Sequence, residues 1–294
     1  METLNTAFRD IVKQVITISK SASVVTEENV FQEADKNIRP FLDKMVETLI
    51  LTGSGVDGFE NLEELYTKAK EGKSCLLLVE HYSNMDLSLF CYLVKNAGGM
   101  GEEIDKAVTA IAGMKLNEDS PVVSAFASAY TRIVIYPSRS LHGMEDNEER
   151  AAEIARSHVI NRAAMKALLD VKNSGRLILI FPSGTRYRPW DPSTKRGVRE
   201  IDSYIKSFDH MCMIGINGEV LHVRQGDMME DSVSNDVVRL NAGPVLSCEE
   251  FRNKARADAD ANNIEDKKQA VADAIMEELE KLHISGEEKR KQFL

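Results

Sequence analysis

Short, unbroken apolar runs alternate with longer stretches of helical periodicity through the middle of the chain. The runs are SCLLLV (74–79), RIVIY (132–136), RLILIF (176–181), MCMIGI (211–216), EVLHVR (219–224) and DVVRL (236–240). Helical patterns lie between them, over about 83–97, 121–129 and 146–172. A strand solvated on one face would alternate apolar and polar residues; these runs do not, so they predict strands buried on both faces. The fold class expected is therefore α/β, with a central, mostly parallel mixed sheet flanked by helices.

The two ends read differently. Phe8, Ile11, Val12, Val15, Ile16 and Ile18 recur at helical spacing and give one apolar stripe. Thr26, Glu28 and Asn29 carry the start signals of a second helix, which Pro40 would interrupt or divide. The glycine-rich LTGSGVDGFENL (51–62) reads as a linker. The organisation expected is a small N-terminal helical domain, residues 1–55, and an α/β domain over 56–294. From about 247 the chain is helical and highly charged, with Ala270, Ala274, Ile275, Leu279 and Leu282 on one stripe.

Composition narrows the functional classes. Apolar residues make up 43% and charged residues 29% of 294, as in an ordinary globular protein. The net charge of -10 argues against non-specific nucleic-acid binding, which needs basic surface. It also disfavours broad adsorption to anionic lipid, while leaving a local basic patch open. METLNTAFRDIVKQ lacks the apolar centre of a signal peptide, and no apolar run reaches the ~18 residues that span a bilayer. The expectation is a soluble, cytoplasmic protein. Cys75, Cys91, Cys212 and Cys248 form no C-x-x-C pair and no zinc pattern, so no metal site is expected. Cys75 and Cys91 lie in apolar runs and read as buried thiols.

In α/β sheets, ligands collect at the carboxyl ends of strands. Three of the predicted strands end in chemically loaded loops: EHYSNMD, YPSRSLH and PSGTRYRPWDPSTKR. In the first, two readings stand side by side. Ser83 can cap the next helix with Asp86 as its reciprocal partner. Alternatively, Asp86 can reach back to one nitrogen of His81, fix its tautomer and support the imidazolium, leaving the other nitrogen as a base. Glu80 reads as a charged neighbour without a role. In the third loop, Gly184 permits a close backbone approach. Arg186 and Arg188, two residues apart, face the same way in an extended segment and make a fork for a phosphate, with Tyr187 pointing away. Two solvated or acid-paired arginines are the plainer reading. In the second loop, Arg139 can add charge to the same pocket, whereas His142 reads as a surface residue. No G-x-S-x-G, P-loop or G-x-G-x-x-G is present, which counts against a nucleophile elbow and against nucleotide-binding folds.

H-x-x-x-x-D at 81–86, followed about 100 residues later by FPSGTR, resembles the glycerolipid acyltransferase superfamily. PSGTRYRPWDPST is similar to the P-S-G-G-R-D-R-P-D-P-x-T block of the soluble plastid-type glycerol-3-phosphate acyltransferases, with Trp190 inserted. VIYPSRSLH resembles their second block, and Met213 stands where their fourth block has proline. The likeness runs over about residues 60–245. It implies His81 as catalytic base, Asp86 as its orienting partner, and Arg186, Arg188 and Arg139 as ligands of the acceptor phosphate, with His142 a further basic position. Amides around Ser183, Gly184 and Thr185, or at the Ser83 helix start, would stabilise the oxyanion. The activity implied is transfer of a fatty acyl group from an acyl carrier protein or coenzyme A thioester to the sn-1 hydroxyl of glycerol 3-phosphate, without a cofactor. Acylation of lysophosphatidic acid and a non-catalytic phosphosugar- or phospholipid-binding module are the alternatives. Transient association with the inner membrane surface goes with the lipid product.

Overall fold

A computed structural model describes residues 1–19, 24–118, 121–141, 145–226 and 228–294. In chain order the N-terminal third holds β1 (Glu2–Thr3), α1 (Leu4–Ala7), α2 (Arg9–Ile18), β2 (Phe31–Gln32), α3 (Arg39–Leu49), β3 (Gly55–Asp57), α4 (Phe59–Lys70), β4 (Cys75–Val79) and α5 (Asp86–Lys95). The middle holds α6 (Gly101–Ala107), β5 (Val108–Gly113), α7 (Lys115–Glu118), α8 (Pro121–Ala127), β6 (Arg132–Ile135), α9 (Glu148–Val171) and β7 (Leu177–Ile180). The last third holds α10 (Ile201–Ser207), β8 (His210–Asn217), β9 (Leu221–His222), β10 (Ser232–Val233), β11 (Arg239–Ala242), β12 (Leu246–Ser247), α11 (Cys248–Ala261) and α12 (Lys267–Arg290).

The main sheet runs β2-β6-β5-β7-β4-β8-β11-β3, with β12 also paired to β8. Its centre, from β6 to β8, is parallel, and the antiparallel pairs lie towards its margins. The fold is the expected α/β class. Successive strand residues face opposite sides, and the core follows this period of two. Cys75, Leu77 and Val79 of β4 enter one apolar layer, with side chains of α2 to α6 and α8. Leu76 and Leu78 enter the other, with α9 to α12. The N-terminal helices thus share a layer with one face of the sheet.

Several local expectations change. The second N-terminal helix starts at Arg39, not at Thr26, with Pro40 in its first turn. Proline suits that position, because the first-turn amides have no intrahelical acceptor. Thr26 and Asn29 instead close a turn, the Thr26 amide donating to Asn29 Oδ1 at 2.8 Å. The glycine-rich 51–62 segment is no simple linker: β3 pairs in parallel with β11, Val56 opposite Leu240. β5 was not expected, since VTAIAG is rich in small residues, yet it lies between β6 and β7. EVLHVR contributes only β9, which joins β10 and β1 in a separate three-stranded sheet.

α12 lies close on β8. A Cβ added at Gly215 would stand 3.0 Å from the His283 amide, and one at Gly286 only 2.1 Å from Asn217 Oδ1. Glycine on both sides of the contact lets the helix sit this near the strand. Among the described residues, no helix is long and apolar enough to cross a membrane.

Candidate active site

The end of β4 carries the candidate chemistry. Leu77 and Val79 face the layer that holds the N-terminal helices. His81, next in that alternation, stacks on Phe181 at the end of β7, with ring centroids 4.0 Å apart and planes at 16°. Its Nδ1 lies 2.9 Å from Asp86 Oδ2. A carboxylate partner accepts, so Nδ1 is the nitrogen suited to donate and Nε2 the one suited to take up a proton. Among the described residues Nε2 has no protein partner.

Asp86 is 2% exposed and is held by its own loop. Its Oδ2 also accepts from the Tyr82 amide at 2.6 Å and the Ser83 amide at 2.9 Å. Its Oδ1 accepts from Ser83 Oγ at 2.7 Å, and Ser83 Oγ in turn accepts from the Met85 amide at 3.1 Å. The helix begins at Asp86 itself, so Ser83 is not its cap residue. The two readings of this carboxylate are therefore not exclusive: the contacts that order the loop also aim Asp86 at the imidazole. They also remove one expectation. The Tyr82 and Ser83 amides are engaged by Asp86 and are not available to an oxyanion.

The third loop begins with a turn in which the Gly184 amide donates to the Phe181 carbonyl at 2.9 Å. Gly184 has φ 64, a backbone state that a side chain would disfavour. Ser183 is buried and its hydroxyl donates to the Thr185 carbonyl at 2.7 Å. Among the described residues the Ser183 and Thr185 amides have no protein acceptor. The Tyr187 amide donates to the His81 carbonyl at 2.8 Å, which ties the arginine loop to the histidine. The two arginines flanking Tyr187 are not equivalent. Arg186 Nη1 donates to Asp231 Oδ2 at 2.8 Å, and Asp231 is fully buried. Arg188 is half-buried and, among the described residues, its guanidinium has no acceptor. The symmetric fork expected from spacing is thus one arginine already paired and one available.

Arg139 lies in the short 3-10 turn Ser138–Leu141 and is exposed; among the described residues its guanidinium has no hydrogen bond or ion pair. His142 lies outside the described residues. Trp190 is exposed, and Met213 is a buried core residue of β8.

The other side of the strand end carries functional groups that local sequence does not reveal. Glu80 is only 4% exposed and is fully engaged. Its Oε2 accepts from the Ile216 amide at 2.8 Å and from His283 Nδ1 at 2.9 Å, and its Oε1 accepts from Tyr82 Oη at 3.0 Å. The hydrogen bond to Glu80 raises the His283 pKa above its ordinary value, against the opposing effect of burial. Burial, reinforced by Glu80, holds the Tyr82 phenol far above its usual range. No spacing rule could have paired Glu80 with a histidine on α12. The one local signal was an acidic residue directly after a run of buried positions.

All four cysteines are free and buried. Burial pushes the thiols of Cys75, Cys212 and Cys248 up to about 12, and Cys91 well above its ordinary value. They remain protonated near neutrality and provide no thiolate nucleophile.

An α/β sheet with a histidine–aspartate dyad at one strand end and an arginine loop at the next is an arrangement suited to group transfer. Residues 56–226, more than half of the chain, match the Acyltransferase family. The chain belongs to that family and contains its acyltransferase domain. No curated protein matches the chain.

Proposed function

We propose that the protein is a glycerol-3-phosphate 1-O-acyltransferase of the soluble, plastid-like type. The observation that carries this reading is the hydrogen bond from the Tyr187 amide to the His81 carbonyl. It fixes the backbone between Arg186 and Arg188 directly against the residue that would act as base. On this reading, a three-carbon acceptor whose phosphate is bound by this loop presents its hydroxyl to the imidazole.

In the mechanism, Arg188 takes the acceptor phosphate, with Arg186 sharing it from its position on Asp231. His81 Nε2 accepts the proton of the sn-1 hydroxyl as that oxygen attacks the thioester carbonyl. Asp86 supports the imidazolium. The Ser183 and Thr185 amides supply donors for the developing oxyanion. The intermediate collapses with cleavage of the C–S bond, and the imidazolium returns its proton to the leaving thiolate. The products are 1-acyl-glycerol 3-phosphate and the free thiol of acyl carrier protein or coenzyme A. No cofactor enters this scheme.

The test is thiol release by purified protein, with each thioester donor and with glycerol 3-phosphate or lysophosphatidic acid as acceptor. Turnover is expected with glycerol 3-phosphate and a monoacyl product. Turnover confined to lysophosphatidic acid would reassign the acceptor, and none with either would leave the binding-module reading.

A further inference from the structure

The end of β4 carries a second histidine–carboxylate pair that the scheme above does not use. We infer that His283, on α12, is a positioning residue for acyl transfer at His81, acting through Glu80 and Tyr82. This inference rests on the reading of His81 as the base.

Residues alternate faces at a strand end, so Glu80 points to the layer opposite His81. There it meets α12. The carboxylate binds three groups from three parts of the chain: the Ile216 amide of β8, the Tyr82 hydroxyl and His283 Nδ1. Tyr82 Oη also lies 3.3 Å from His283 Nδ1, which closes the cluster. The Tyr82 ring then meets Tyr187 edge-on, with centroids 6.1 Å apart and planes at 86°. Tyr187 is the residue whose amide holds the His81 carbonyl. A continuous series of contacts therefore runs from α12 around the strand end to both the base and the arginine loop.

α12 is held at the distance this requires. Gly215 admits the His283 backbone, Lys195 of the arginine loop pairs with Glu280, and Gln269 Nε2 donates to the Gly197 carbonyl at 3.0 Å. Met276 of α12 lines the same small cavity as His81, Tyr82, Ser183 and Tyr187. Stability alone does not call for this pair, because a well-packed apolar pair would serve as well or better. A hydrogen-bonded carboxylate does what an apolar contact cannot: it fixes direction, and so the orientation of the residues on either side of it.

The test compares His283→Ala, His283→Asn and His81→Ala with wild type. Steady-state kinetics are combined with NMR of the His81 ring in protein labelled with 15N-histidine. Asparagine places an amide donor near the position of Nδ1 and so retains the link to Glu80. His283→Ala is expected to lower kcat about tenfold while moving both KM values less than about twofold, since small displacements of a base act on the chemical step. It should also shift the His81 ring resonances, and His283→Asn should restore most of both. Wild-type kcat in His283→Ala, a kcat loss with unmoved His81 resonances, or a loss that His283→Asn does not restore would each overturn the inference. If His283→Ala does not fold, Tyr82→Phe, which keeps the ring and removes the hydroxyl, takes its place: a folded variant with wild-type kcat would also overturn it. A fully active His81→Ala removes the base reading and this inference with it. An inactive His81→Ala beside a fully active His283→Ala removes this inference alone.

Discussion

Two histidine–carboxylate pairs share one strand end, and they are built in opposite ways. His81 and Asp86 are five residues apart, and every further donor to that carboxylate, Tyr82 and Ser83, comes from the same loop. Glu80 and His283 are 203 residues apart, and their pairing depends on how closely α12 lies on β8. The first pair is a property of a turn. The second is a property of packing. Whatever loosens α12 should therefore disturb Glu80 first and Asp86 only through it.

The largest effect should come from the local pair. His81→Ala is expected to lower kcat about 10³-fold with little change in Tm. Asp86→Asn should cost about 10²-fold or more in kcat, because the tautomer of His81 is no longer held. Glu80→Gln, which removes charge from the distant pair, should cost about tenfold. Thiol-release kinetics on the three variants would break the comparison if Glu80→Gln proved as damaging as Asp86→Asn.

The two arginines differ in the same way, one held by a distant partner and one not. Arg186→Ala removes a charged partner of the buried Asp231, which keeps the Arg224 amide, and should destabilise the fold by about 2 kcal/mol, read from denaturant unfolding. Arg188→Ala has no such consequence and should raise the KM for glycerol 3-phosphate about tenfold at unchanged Tm. Equal stability of the two variants would mean that the other contacts of Asp231, the Arg224 amide among them, suffice without Arg186. An unchanged acceptor KM in Arg188→Ala would remove the phosphate role of this loop.

The smallest effect should be the pH dependence of the distant pair. The folded-state pKa of His283 is raised above its ordinary value of 6.5, chiefly by the hydrogen bond to Glu80. The stability it adds is thus fully present below about 6.5 and lost as pH rises through the raised folded value. Glu80, Glu280, Lys195 and Tyr82 are the charged and titratable groups that face it. The ring is partly exposed, so the effect should stay near 1 kcal/mol or below. The Tm difference between wild type and His283→Asn, followed from pH 5.5 to 9, should be largest at the acid end. A flat difference would assign the pair's contribution to packing alone.

Much of the site was legible where its partners are close in sequence. The strand ending at Val79, the histidine after it and the aspartate five residues on follow from local pattern and turn chemistry. The conformational freedom needed at Gly184 was legible for the same reason, although the turn it makes was seen only in the structure. What was misread had distant partners. Spacing put Arg186 and Arg188 on one face but could not show that Asp231 already holds one of them. β5 was missed because alanine and glycine carry little hydrophobic signal, although strands on both sides bury it.

The sequence by itself determined most of the strand and helix periods and the acids and bases at the strand ends, because each depends on interactions within a few residues. Tertiary structure alone decided which face each residue of 80–82 would serve, that Asp231 would hold Arg186, and that α12 would bring His283 to Glu80. A hydrogen bond between residues far apart in sequence exists only once packing has set the distance between their elements, and here Gly215 of β8 and Gly286 of α12 set it.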